Sequence, residues 1–189
     1  MTAENESLPQ KVLSTVRALE SVPLPCAVGG AIALAYYAVP RATVDIDVNI
    51  FVAADQFDAV LGALAPFGIE ADAKQRATVE RDGQVRLFWD RTPVDLFFAY
   101  DRFHFHAATR TRRVPFADTT IPILAAEDLL VCKVLFDRGR DWLDVDQILL
   151  LTAATLDLDD VRSWLTHIMG ANDARYERFE VAVAQVLGN

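Results

Sequence analysis

The sequence predicts an α+β fold with an α/β opening: a mixed sheet flanked by helices, followed by a C-terminal helical bundle. Three observations predict it. Up to about residue 100, stretches rich in β-branched and aromatic residues alternate with stretches of helical apolar spacing. Two strand-like stretches, 84–90 and 92–100, adjoin at a turn and so form an antiparallel pair. Beyond residue 120 the apolar spacing is helical almost throughout.

The elements follow in chain order. Residues 11–20 place Val12, Leu13, Val16 and Leu19 on one helical face. "LPCAV" reads as a short strand running into Gly29-Gly30, and "AIALAYYA" as a short helix ended by Val39-Pro40. "TVDIDVNIFV" is a β-branched strand. In residues 53–68, Phe57, Val60, Leu61 and Leu64 share a face, as in a crossover helix. "QVRLFWD" and "TPVDLFFAY" make the strand pair, turning at Asp90–Pro93. "RVPFADTTIPIL" reads as short edge strands. Four helices then follow over 125–137, 141–154, 158–170 and 172–187, the last striped with Tyr176, Phe179, Val183 and Val186. A soft division near residue 120 separates a core, 1–120, from a helical region, 121–189, packed on it, the two together compatible with one continuous domain.

The 52% apolar content suffices for a full core. A net charge of −9 disfavours general nucleic-acid binding, because phosphate affinity is largely electrostatic. The polar N-terminus has no cationic and apolar signal pattern, and no apolar run reaches the roughly 20 residues that span a bilayer. Cys26 and Cys132 fit no metal-ligand spacing and read as reduced core thiols. The expectation is a cytoplasmic protein without membrane contact.

The chemistry concentrates in residues 27–52. Asp45 and Asp47 interrupt an otherwise apolar strand, and strand alternation points both to one face. Two carboxylates so close repel unless a cation sits between them. Hard oxygen donors suit Mg²⁺ or Mn²⁺, usually completed by substrate phosphates. Asp95, in the similar strand "PVDLFF", offers a third donor, and three such acids can hold two metals roughly 4 Å apart. Gly29-Gly30, at a strand-to-helix turn, can present bare backbone N–H groups to phosphate.

Residues 28–48 resemble the signature of the nucleotidyltransferase superfamily with the DNA polymerase β-like core: a double-glycine turn, a short helix, then Asp-x-Asp on a strand. "GGAIALAYY…PRATVDIDV" is especially similar to the AbiEii-type nucleotidyltransferases, the toxins of type IV toxin–antitoxin systems. The stretch "EDLLVCKVLFDRGRDWLDVDQIL" resembles the same family through Lys133, Arg140, Asp141 and Asp144. The resemblance implies a nucleotidyltransferase-like mixed sheet. It also implies an enzyme that moves a nucleoside monophosphate from an NTP to an acceptor hydroxyl on RNA, notably tRNA, or on protein, with a possible antitoxin partner. Asp45, Asp47 and Asp95 would be catalytic and hold Mg²⁺ or Mn²⁺, Asp95 also helping to deprotonate the acceptor. Gly29, Gly30, Arg41, Thr43, Lys133, Asp141 and Asp144 would bind nucleotide. Arg41 is equally placed to neutralise the acidic cluster, and Lys133 to pair with Asp137 one turn on. Aminoglycoside and lincosamide nucleotidyltransferases share a similar opening motif, which leaves a small-molecule acceptor as an alternative. A nucleotide-binding module without turnover is another.

Two further features read as ordinary. His104 and His106 have alternate-residue spacing but no evident third ligand, so core or surface positions suit them. Arg110, Arg112 and Arg113 form the one dense basic run, a solvated loop or a surface for an acidic partner or RNA backbone.

Overall fold

Alternation along the strands decides which side chains enter the core and which remain available for chemistry. The computed structural model describes residues 6–188. The polar stretch 1–5, part of the N-terminus considered above, lies outside the described residues. The chain divides into two compact units: residues up to Ile32 with Ala42–Leu124, and Ala33–Arg41 with residues from Ala125 onward.

The first unit holds six strands: β1 (Cys26–Val28), β2 (Ile46–Ile50), β3 (Gln84–Trp89), β4 (Thr92–Phe98), β5 (Arg112–Phe116) and β6 (Thr119–Ile123). They form one mixed sheet in the order β3-β4-β2-β1-β6-β5. β2 runs parallel to β4 and β1 parallel to β6, while β1–β2, β3–β4 and β5–β6 are antiparallel. Ile46, Val48 and Ile50 of β2, Val94, Leu96 and Phe98 of β4, and Val85, Leu87 and Trp89 of β3 are all buried. Full burial of each such side chain contributes roughly 1.5–3 kcal/mol. The intervening residues, among them Arg86, Asp47 and Asp95, therefore face away from this core.

Helices α1 (Leu8–Glu20) and α3 (Phe57–Leu64) pack on one another, and α4 (Ala73–Asp82) lies along β3. Phe57 of α3 meets Phe98 of β4 edge-on at 5.8 Å between ring centroids, which places α3 on the core face. Lys11 sits in the buried stripe of α1 because its ammonium donates to the Trp89 carbonyl, Asp90 and Thr92 at 3.0–3.2 Å, tying α1 to the β3–β4 turn.

Two helices of this unit are absent from the sequence reading. α4 buries only Val79, so it has almost no apolar periodicity; its capping box, Asp72 with Gln75, starts it, and left-handed Gly83 stops it. α5 (Arg102–Arg110) has alternating His and Phe that mimic a strand, but Asp101 and His104 close a capping box at its start. The expectation of two edge strands over 113–124 also needs correction. β5 is at the edge, whereas β6 is interior, paired with β1 through Val28 and Ile123.

The short α2 (Gly30–Leu34) leads from the first unit's residues into the second's. The second unit contains α6 (Ala126–Phe136), α7 (Gly139–Thr152), α8 (Leu158–Met169) and α9 (Ala174–Leu187), with α6 packed against the other three. Its core is Leu130, Val134, Val145, Ile148, Val161, Leu165 and Phe179. Among the described residues, no helix is long and apolar enough to cross a membrane.

Candidate active site

The parallel pairing of β2 with β4 puts Asp47 directly beside Asp95, and the antiparallel pairing of β4 with β3 puts Arg86 directly beside Asp95. One row across three strands thus reads Asp47, Asp95, Arg86 on the face turned from the core. Asp45 immediately precedes β2, and its backbone N–H donates to the Thr43 hydroxyl at 3.2 Å. Thr43 is accordingly occupied in shaping the approach to the Asp-x-Asp strand.

Arg86 unites the acids. Its Nε and Nη2 donate to both Asp95 oxygens at 2.8 and 2.6 Å, and Nη2 also reaches Asp45 at 3.3 Å. The hydrogen bond to Asp95 raises the guanidinium pKa above its ordinary value, and the charges of Asp95, Asp45 and Asp47 add to this, against the opposing effect of desolvation. The cation that such a cluster demands is here supplied by the chain itself. Among the described residues no three His, Cys, Asp or Glu side chains are gathered to hold a metal ion. Of the three carboxylates expected from the sequence to hold metal, Arg86 bridges two, Asp45 and Asp95. The donor chemistry, hard carboxylate oxygens, still suits a divalent cation once Arg86 withdraws.

The double glycine has a local cause. Gly30 adopts φ +53°, and a Cβ there would lie 1.8 Å from Asp47 Oδ2. At Gly29 a Cβ would lie 2.6 Å from Asn49 Nδ2. Both positions are bare because β2 side chains press against the turn. Gly29 N–H, expected to be open to phosphate, donates instead to the Asp47 carbonyl at 2.9 Å. Arg86 and Asn49 were passed over in the sequence. Alternation in "QVRLFWD" puts Arg86 on the polar face, but only strand register reveals its neighbours.

The other expected residues form a separate network within the second unit. Lys133 Nζ donates to Asp141 at 3.0 Å and Asp144 at 2.7 Å. Arg41 grips Asp144 through Nε and Nη2 at 3.2 and 3.0 Å, and Arg138 grips Asp141 at 2.6 and 3.2 Å. Lys133, Asp141 and Asp144 are all buried. Burial alone would raise the Asp141 pKa, but the bonds from Arg138 and Lys133 outweigh it and hold the carboxyl below its ordinary 3.8. The alternative partner Asp137 is not used by Lys133. It turns left-handed at φ 54°, ends α6, and accepts the Trp142 indole N–H at 2.6 Å. Arg140 is exposed.

His104 and His106 fall on α5, where residues two apart diverge by about 200°. His104 serves the helix cap, and His106 meets Arg110 at 3.0 Å. In the basic run, Arg113 pairs with Glu20 at 2.7 Å.

This arrangement of strands and helices is the α+β fold of the nucleotidyltransferases. The chain matches ANT(2")-Ia, solved in complex with adenylyl-2"-tobramycin, with a TM-score of 0.52 at 13% identity, over 95% of this chain and 97% of that one. It also matches the lincomycin-bound lincosamide antibiotic adenylyltransferase LnuA (TM-score 0.49, 14% identity, 76% and 98% of the two chains). A third match is an antigenic nucleotidyltransferase-like protein from Paracoccidioides brasiliensis (TM-score 0.47, 16% identity, 95% and 96%). No protein-family model matches the chain, and no curated protein matches its sequence.

Proposed function

We propose that the protein is a metal-dependent nucleotidyltransferase that moves a nucleoside monophosphate from an NTP to an acceptor hydroxyl. The observation carrying this reading is the row Asp47–Asp95–Arg86 with Asp45 at its end, set beside a glycine turn that has no room for a side chain. In the reaction the acceptor oxygen bonds to the α-phosphorus, the bond from that phosphorus to the oxygen bridging to the β-phosphate breaks, and pyrophosphate leaves. Asp45 and Asp47 would hold the cation beside the reacting phosphate, and Asp95 would help to take up the acceptor proton. Mg²⁺ or Mn²⁺ on these three acids would neutralise the triphosphate and lower the pKa of the acceptor hydroxyl. The bare Gly29-Gly30 turn lets Asp47 and Asn49 pack close against it, which fixes Asp47 for its role. Lys133, Asp141, Asp144 and Arg41 support the reaction by holding the helical unit together, an account their mutual bonds favour over direct nucleotide contact.

For the acceptor, the fold likeness to ANT(2")-Ia and the net charge of −9 favour a cationic small molecule such as an aminoglycoside. The toxin reading, with RNA or protein as acceptor and an antitoxin partner, rests on the AbiEii-like motifs alone. A second reading, nucleotide binding without turnover, draws support from Arg86 occupying the acids. The experiment offers α-labelled NTP and Mg²⁺ with tobramycin, lincomycin, tRNA or cell protein. Label transferred to one acceptor assigns it; bound NTP with no pyrophosphate released supports the second reading.

A further inference from the structure

We propose that Arg86 is a tethered counter-ion which a divalent cation must displace, so that metal enters this site by exchange rather than by simple addition. The inference rests on the metal-dependent reading above and deepens it. Three observations carry it.

Arg86 and the expected metal use the same atoms. Both Asp95 oxygens and one Asp45 oxygen already accept from the guanidinium. A divalent ion on those oxygens and a guanidinium on the same oxygens repel each other at a few ångströms, so the two occupancies exclude one another. The second observation is charge. The three acids carry −3 and Arg86 +1, leaving −2, so the arginine quiets the mutual repulsion without removing the attraction for a divalent ion.

Third, Arg86 has an exit. It stands on β3, the outermost strand on its side of the sheet, and its side chain is 52% exposed, whereas the Asp95 side chain is only 15% exposed. The grip is also unequal, bidentate at 2.6–2.8 Å on Asp95 and a single 3.3 Å contact on Asp45. The Asp45 contact yields first, and the guanidinium then turns outward along the edge strand. The exposed flank of the guanidinium lets water take over its donors as it leaves Asp95, so that a divalent ion has to compete only with the bidentate pair. Arg86 is thus a positioning residue: it holds the acids together without metal and sets the metal concentration at which the site fills.

The test is equilibrium Mn²⁺ binding, read from the electron paramagnetic resonance of free Mn²⁺, with thermal unfolding of the metal-free full chain alongside. Native protein, Arg86→Gln, Arg86→Lys and Asp47→Asn are compared. Arg86→Gln, without the competing charge, is expected to bind Mn²⁺ about five- to tenfold tighter. Arg86→Lys, which keeps the charge but not the fork, is expected to fall between it and native. Added Mn²⁺ is expected to raise the midpoint of unfolding more in Arg86→Gln than in native protein. Equal or weaker Mn²⁺ binding by Arg86→Gln, with native binding intact and lost in Asp47→Asn, overturns the exchange proposal and leaves the metal site standing. Absence of Mn²⁺ binding in both native protein and Arg86→Gln overturns the metal-dependent reading itself.

Discussion

Lys133→Met removes the central cation of the buried network. Lys133 is 4% exposed, and its ammonium donates to Asp141 and Asp144 at 3.0 and 2.7 Å. Breaking a buried ion pair from one side costs about 3–5 kcal/mol, because a desolvated charge is left uncompensated. Here each carboxylate keeps a guanidinium, Arg138 on Asp141 and Arg41 on Asp144, which places the loss near the lower end, about 3 kcal/mol. At about 2–4 °C per kcal/mol for a chain of this size, the midpoint of thermal unfolding falls by about 6–12 °C. Circular dichroism at 222 nm, nucleotide-free and at neutral pH, measures it. Adding Asp144→Asn to Lys133→Met gives a loss smaller than the sum of the two single losses, because Lys133 and Asp144 share one ion pair. An unchanged midpoint combined with weakened NTP binding refutes the reasoning and makes Lys133 a nucleotide ligand.

Gly30→Ala puts a Cβ onto the Asp47 carboxylate and a side chain at φ +53°, so it loses about 1–3 kcal/mol and displaces Asp47. Parallel thermal unfolding and pyrophosphate-release assays check both effects. Asp141 has a folded pKa below its ordinary 3.8, so its stabilising contribution is complete above that value and is lost as pH falls through the folded pKa. Acid titration followed by circular dichroism therefore shows steeper loss below about pH 4 in native protein than in Asp141→Asn. Burial pushes the Cys26 and Cys132 thiols up to about 12, so both react with a thiol reagent far more slowly in folded than in denatured protein.

Much of the fold was legible because its elements carry strong local patterns. Alternation in "VDIDVNI" and "PVDLFF" marked β2 and β4 and set their acids on one face. The helices of the second unit showed their apolar stripes, and Phe179 and Val183 of the α9 stripe are buried. What escaped was non-local or lacked an apolar signal. α4 buries a single valine, leaving only its caps to announce it. The interior place of β6 depends on pairing with a strand about ninety residues earlier, which no local pattern encodes. In the candidate site, the acids and glycines stood out, but their reason for adjacency did not. The glycines make way for Asp47 and Asn49, and the charge between Asp45 and Asp95 is met by Arg86, whose partners come from strand register. Lys133 likewise finds its partners on the next helix, because Asp137 leaves the helical path at the end of α6.

The most direct measurement is pyrophosphate released from NTP in the presence of Mg²⁺, comparing native protein with Asp47→Asn at equal folded concentration. The account predicts steady release by native protein, abolished by chelation of the metal and by Asp47→Asn. Release that persists undiminished in Asp47→Asn, or that ignores the chelator, contradicts it.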